Sequence, residues 1–166
     1  MTWSDMLVNC LVTAGEAIWF FLPAYFANAT PVVLGGGTPI DLGRNFLDGR
    51  RILGDGKTFR GFFLALAAGT LIGALQQRPF IGFIMSLGAM LGDMAVSFLK
   101  RRLGLKRGDP LPVGDQLDFV AGAVALTAPV VSIPLSYVIA IVVVTPPIHL
   151  GTNALAYLLK LKDRPW

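Results

Sequence analysis

Apolar residues run along the chain in five long blocks, separated by short polar or glycine-rich segments. The blocks cover roughly residues 6–33, 61–75, 79–99, 117–131 and 134–159. A membrane-spanning helix needs about 20 apolar residues, with a range near 17–25. The first, third and fifth blocks meet that length. The second and fourth are short, and need a few flanking residues or a locally thin bilayer to cross. Pro134 divides the last two blocks in this reading; the alternative is that it kinks one longer helix. The pattern predicts an all-α integral membrane protein of about five transmembrane helices.

Composition agrees. Hydrophobic residues make up 54% of the chain and charged residues 14%, against about 25% charged in soluble domains; mean hydropathy is +0.66. At 166 residues the chain is about one domain long. It is therefore read as a single membrane-embedded domain, 1–166, with its chemistry at helix ends or in loops. The lone cysteine, Cys10, excludes an intramolecular disulfide and a C-x-x-C site. No Lys or Arg precedes Arg44, so the first block lacks the basic start of a cleaved signal peptide and is expected to be retained.

Charge then orients the blocks. Arg44, Arg50, Arg51, Lys57 and Arg60 lie between the first and second. Lys100, Arg101, Arg102, Lys106 and Arg107 lie between the third and fourth. Lys160, Lys162 and Arg164 follow the fifth. Of the 14 basic residues only Arg78 falls elsewhere. Alternate loops share a side, and basic loops face the cytoplasm. This predicts a multi-pass cell-membrane protein with an outside N-terminus and two cytoplasmic loops, which are the candidate catalytic loops. Topology alone is the competing explanation of these charges.

The first loop, 38–61, reads TPIDLGRNFLDGRRILGDGKTFRG. Its glycines permit tight turns and close backbone approach to an anion. Lys57, Thr58 and Arg60 follow the last turn, where a helix N-terminus already favours an anion. They are expected to bind phosphate. The fragment GDGKT is not a P-loop, since Arg51 stands where that motif needs glycine and no strand precedes it.

The second loop carries the sharper signal. Residues 92–119 read GDMAVSFLKRRLGLKRGDPLPVGDQLDF. Asp93 lies inside an apolar run, where an ionisable group is costly unless paired, coordinated or hydrated. Asp93, Ser97 and Lys100 share one helix face by spacing. Asp115 and Asp118 sit at the start of the next block and can face Asp93 across an antiparallel pair of helices. Carboxylates without His or Cys partners suit a hard cation such as Mg²⁺, and surrounding cations suit phosphate esters. Two other readings stay open on spacing alone. In one, Asp93 only pairs with Lys100 or Arg101 and Asp118 only caps its helix; in the other, Asp93 lines an ion pathway.

GD, S-x-x-K-R, a further lysine, L-P and a carboxylate pair together resemble the pattern of membrane CTP-dependent cytidylyltransferases. Against phosphatidate cytidylyltransferases the chain departs: Arg107 follows Lys106 where they have Asp, Gly114-Asp115-Gln116 replace H-G-G, and Phe119 replaces a final Arg. The chain is more similar to the archaeal branch, the CDP-archaeol synthases. That similarity runs through ANATP at 27–31, residues 39–61, residues 92–119 and TPPIHLGTNALAYLLKLKDRPW at 145–166.

The resemblance implies transfer of the cytidylyl group from CTP to a geranylgeranylated glycerol phosphate ether, 2,3-bis-O-geranylgeranyl-sn-glycerol 1-phosphate, releasing pyrophosphate. It implies Asp93, Asp115 and Asp118 as catalytic carboxylates, with Asp93 and Asp118 holding Mg²⁺. Ser97, Lys100, Arg101 and Lys106, with Lys57, Thr58 and Arg60, would bind substrate. The expected partners are CTP, the isoprenoid lipid phosphate and the bilayer, not nucleic acid; oligomeric state is left open. The rivals are a phosphatidate cytidylyltransferase, a CTP-dependent polyprenol kinase and a small cation channel or transporter. Elsewhere, Glu16 reads as a snorkelling or interhelical hydrogen-bonding residue, and His149 with Asn153, spaced i, i+4, as interhelical glue, with the resemblance adding a site-lining role as the alternative. Gly82, Ser86, Gly88 and Gly92 read as close helix packing.

Overall fold

The computed structural model describes residues 2–161; Lys162 and Arg164 of the expected basic tail lie outside them. Five helices account for the apolar blocks: α1 (Trp3–Leu34), α2 (Phe59–Leu75), α3 (Pro79–Arg102), α4 (Gly114–Thr127) and α5 (Leu135–Leu158). Helices are what lipid demands, because every backbone polar group in the hydrocarbon must find its partner inside the segment. By length and composition α1, α3 and α5 can cross a membrane, whereas α2 is a shorter apolar helix. α4 has 14 residues, about 21 Å at 1.5 Å per residue.

The fourth helix differs from its apolar block at both ends. α4 starts at Gly114, three residues before the apolar block at Leu117, and ends at Thr127 instead of 131. Residues 128–134 form turns and irregular backbone. Pro134 is the N-cap of α5 and not a kink within a longer helix, as expected of a residue that lacks the N–H a helix interior needs.

Contacts fix the directions. Gly69 of α2 meets Ser86 of α3, and Gly73 meets Gly82, so α2 and α3 run antiparallel. Gly88 packs on Gly122 and Gly92 on the Asp118 backbone, making α3 and α4 antiparallel. Tyr137 bonds to Glu16, and Tyr25 to Thr145, so α5 runs parallel to α1. An alternating succession of five passes requires that arrangement. The core lies where the helices cross, around Phe21, Met85, Phe119, Val120 and Ile141, with Ala17, Ala24, Ala65, Ala89 and Ala123 between them. Large side chains such as Trp3, Leu7, Leu75, Phe80, Leu135 and Val143 face outward, as a lipid-facing exterior allows.

The small residues decide how tightly α3 and α4 meet. A Cβ on Gly92 would collide with the Asp118 carbonyl oxygen, and one on Gly122 with that of Gly88. Gly92→Ala is therefore expected to destabilise by about 1–3 kcal/mol, the usual cost of overpacking, and to lower the thermal midpoint in detergent. Gly15→Ala is the control, since its Cβ would meet nothing within 4 Å. Equal midpoints for the two variants would mean that α3 and α4 separate freely.

Candidate functional site

The site grows from the way the first loop closes. Asp41 is buried, at 6% exposure. Its carboxylate accepts the N–H groups of Gly43 (3.2 Å), Leu53 (3.0 Å) and Gly54 (2.8 Å) and two bonds from the Arg51 guanidinium, at 3.2 and 2.6 Å. Burial opposes the charged form, but Arg51 and the three amides outweigh it and hold Asp41 well below the usual carboxylate range. Because its folded value is depressed, its stabilising contribution is complete above about pH 4, the unfolded value. It is lost as pH falls through the lower folded value. Asp41→Ala leaves three loop amides without acceptors. It should cost about 2–4 kcal/mol at roughly 1 kcal/mol per bond, read as proteolytic nicking of 38–58 at neutral pH. An uncleaved loop would show that Asp41 does not anchor it.

The loop's ends are tied as well. Ile40 N–H donates to the Lys57 carbonyl (2.8 Å) and Phe59 N–H to that of Thr38 (3.1 Å). Thr58 is the buried N-cap of α2, its hydroxyl accepting from Gly61 N–H at 3.1 Å. Its sequence role as a phosphate ligand thus meets a structural one, because the hydroxyl already serves the helix. A second set of contacts clasps this loop to the end of α3. That helix stops at a left-handed Gly104 (φ +77°), with Leu105 N–H returning to the Lys100 carbonyl. Arg50 donates to the exposed carbonyl of Arg102 (2.5 Å). Arg102 donates to the carbonyls of Arg50 and Arg51 (3.2 and 2.6 Å), lies 3.1 Å from Asp48, and stacks on Phe46 and Phe98.

Lys57 is thereby delivered to α3. Its ammonium donates to both Asp93 oxygens, at 2.7 and 2.5 Å. Lys100 does the same to Asp115, at 2.9 and 2.7 Å, and Leu111 N–H adds a third bond at 2.9 Å. This corrects the pairing of Asp93 with Lys100 or Arg101. Residues seven apart share a helix face but stand about 10.5 Å apart along it, so each lysine finds its carboxylate on another element. Asp118 is not a cap. It lies one turn inside α4, 8% exposed, and among the described residues its carboxylate accepts only the Phe119 N–H, at 2.6 Å. It feels the charges of Asp93, Lys57 and Asp115, because the Gly92 contact draws α4 against α3 at that level.

The other expected residues divide. Arg101 lies over Gly54, where an added Cβ would stand 3.9 Å from its side chain, and its Nε is buried without a hydrogen-bond partner, a donor suited to an anion. Ser97 is half-buried on the Asp93 side of α3. Arg60, in the first turn of α2, and Lys106, in the second loop, are exposed and stand outside the cluster of ion pairs. The contacts of Asp41, Arg50 and Arg102 join residues far apart in the chain, so spacing within a loop does not show them. An acid within a strongly basic loop was the available signal for Asp41. Glu16 accepts from the Tyr137 hydroxyl (3.0 Å), as expected of an interhelical bond, and Asn153 lies 3.1 Å from His149.

Among the described residues no three metal-type side chains gather at one point. Asp93 and Asp118 nevertheless fit Mg²⁺, which is commonly held by one or two carboxylates with substrate phosphates and water completing its shell. The buried, nearly unpartnered Asp118 carboxylate is the observation in favour.

Comparison with known proteins shows the family. A family model described as CarS-like, CDP-archaeol synthase, matches residues 8–166. The CDP-archaeol synthase of Pyrococcus furiosus is 51% identical over 162 residues, covering 91% of this chain and 97% of that protein. The Methanocaldococcus jannaschii protein of the same name is 43% identical over 169 residues, covering 90% and 96%. A solved structure, described as an intramembrane enzyme for archaeal membrane lipids biosynthesis, superimposes with a TM-score of 0.72. It is 45% identical and covers 83% of this chain and 92% of its own.

Proposed function

This chain belongs to the CDP-archaeol synthase family, and we propose on that premise that its chemistry runs at the membrane face where Asp93, Asp115 and Asp118 meet Lys57 and Lys100. The reaction is CTP-dependent transfer of a cytidylyl group to an archaeal isoprenoid glycerol phosphate, giving CDP-archaeol and pyrophosphate. A phosphate oxygen of the lipid forms a bond to the α-phosphorus of CTP while the bond to the pyrophosphate oxygen breaks. The nucleophile is already an anion, so no Ser, Cys or strong base is required. Bringing two polyanions together is the difficulty, and positioned charge is the remedy.

The observation that carries the assignment is the pair of lysine–aspartate bridges beside the buried Asp118. Lys57 and Lys100 present ammonium groups to the incoming phosphates, and Asp93 and Asp115 keep those groups in place beforehand. Arg101 offers its unpartnered Nε to a phosphate oxygen. Asp93 and Asp118 would hold Mg²⁺, which when bound screens the triphosphate and polarises its α-phosphate. Lys57 is the counter-ion of Asp93 until then. The surrounding hollow is lined by Pro31, Phe62, Met90 and Met94 as well as Lys57 and Asp93, so apolar surface reaches the charged groups from the bilayer side. The basic asymmetry supports the cell membrane as location and a cytoplasmic site.

The test uses purified protein, cytosine-labelled CTP and dialkyl or diacyl glycerol phosphates. The expected products are labelled CDP-lipid and pyrophosphate, with preference for the ether substrate. Release of labelled CDP with a phosphorylated lipid would mean kinase chemistry instead. Cysteines placed at positions 50 and 105 should label from the same side of sealed vesicles. Labelling from opposite sides would overturn the topology.

A further inference from the structure

The end of the bundle away from the catalytic loops carries a second hollow, mostly apolar, into which a few polar groups converge. Its volume is about 460 Å³, and it is lined by Gly15, Glu16, Trp19, Phe20, Arg78 and Tyr137. The length of α2 separates it from the catalytic loops: 17 residues, about 25 Å. Arg78 is the only basic residue outside the three basic segments, so it runs against the charge bias that orients the chain. Its guanidinium rests over the Phe20 ring at 4.7 Å. Among the described residues its side chain has no ion pair or hydrogen bond. Stacking uses the face of a guanidinium and leaves its N–H edge free to bind an anion. Across the hollow, Glu16 accepts the Tyr137 hydroxyl at Oε2 (3.0 Å), leaving capacity on the carboxylate for another donor. Gln76 donates to the Trp19 carbonyl at 2.6 Å and pins α1 to the end of α2, so the wall is built. Trp19 and Tyr137 are the residue types that favour the level of lipid headgroups.

We propose that this hollow binds the headgroup of a phospholipid from the leaflet opposite the catalytic loops. The phosphodiester meets the edge of Arg78, and a headgroup hydroxyl or ammonium donates to Glu16. A bare phosphate dianion fits less well, because Glu16 repels its second charge. The ligand therefore combines one negative phosphate with a hydrogen-bond donor, and its tails remain in the bilayer beside α1 and α5.

The experiment uses the full chain in detergent with Trp3→Phe and Trp166→Phe, which leaves Trp19 as the only tryptophan. Its emission is titrated with dioctanoyl phosphatidylglycerol, dioctanoyl phosphatidate, dioctanoylglycerol and inorganic phosphate. A saturable change is expected with phosphatidylglycerol, weaker with phosphatidate, and none with the uncharged lipid or free phosphate. Arg78→Gln should weaken it about tenfold, the scale of one charge-assisted hydrogen bond, and Arg78→Lys less. Glu16→Gln should abolish the preference for phosphatidylglycerol over phosphatidate. Lys57→Ala should leave the titration unchanged, and Arg78→Gln should keep cytidylyl transfer, which shows that it folds. An equal response in Arg78→Gln would overturn the site. A matching response to inorganic phosphate would overturn the lipid assignment.

Discussion

Asp93→Asn and Asp118→Asn are each expected to lose turnover on the order of 10²–10³-fold, the scale of removing a preorganised electrostatic contact to a transition state. Asn keeps the shape of Asp and removes the charge that a hard cation needs. The two residues stand on antiparallel helices that the glycines bring together at this level. If they act as one unit, the double mutant should be little worse than the worse single mutant. Asp115→Asn should cost less, about 10–100-fold, because that residue holds Lys100 (2.7 Å) and acts through it. The variants differ in a second readout. Asp93→Asn and Asp118→Asn should raise the magnesium concentration needed for half-maximal rate, and Asp115→Asn should not. Thermal midpoints must accompany the rates, since Asp93→Asn also removes the partner of Lys57. Retained turnover at an unchanged magnesium requirement would make Asp93 a mere anchor for Lys57.

Lys57→Ala should reduce kcat/KM for CTP by about 10²-fold or more, on the same electrostatic scale. The variant removes a cation from the phosphate site and leaves Asp93, 21% exposed at its side chain, without its counter-ion. These effects are separable. Adding Asp93→Asn to Lys57→Ala relieves the uncompensated carboxylate and should recover thermal stability without recovering activity. Lys57→Arg should recover only part of the rate, because a planar fork does not fill the place of a compact ammonium. Arg60→Ala, in the exposed first turn of α2, should mainly raise KM for the lipid. Full activity in Lys57→Ala would reduce the first loop to a topology signal.

Much of this was legible before any coordinates. Hydrophobic blocks and their lengths are one-dimensional properties, and the bilayer converts them directly into helices. Asp93 stood out because lipid makes an isolated carboxylate costly wherever the chain folds. The helix-packing glycines were legible for a similar reason, since small residues at i, i+4 have few uses other than close approach.

Which charge meets which depends on how the helices and loops pack. Spacing along α3 puts Lys100 on the face of Asp93, yet the bond goes to Asp115 on α4, and Asp93 receives Lys57 from a loop 36 residues earlier. Ion pairing depends on distances of a few ångströms between elements, and the sequence records distance only along one element. The same holds for Asp41, whose five bonds exist only once the first loop has folded around it. The sequence thus determined a helical membrane protein with acids and bases near one face. The fold determined the partners, because backbone contact at Gly88, Gly92 and Gly122 sets the register of α4 against α3, and that register places Asp118 beside Asp93.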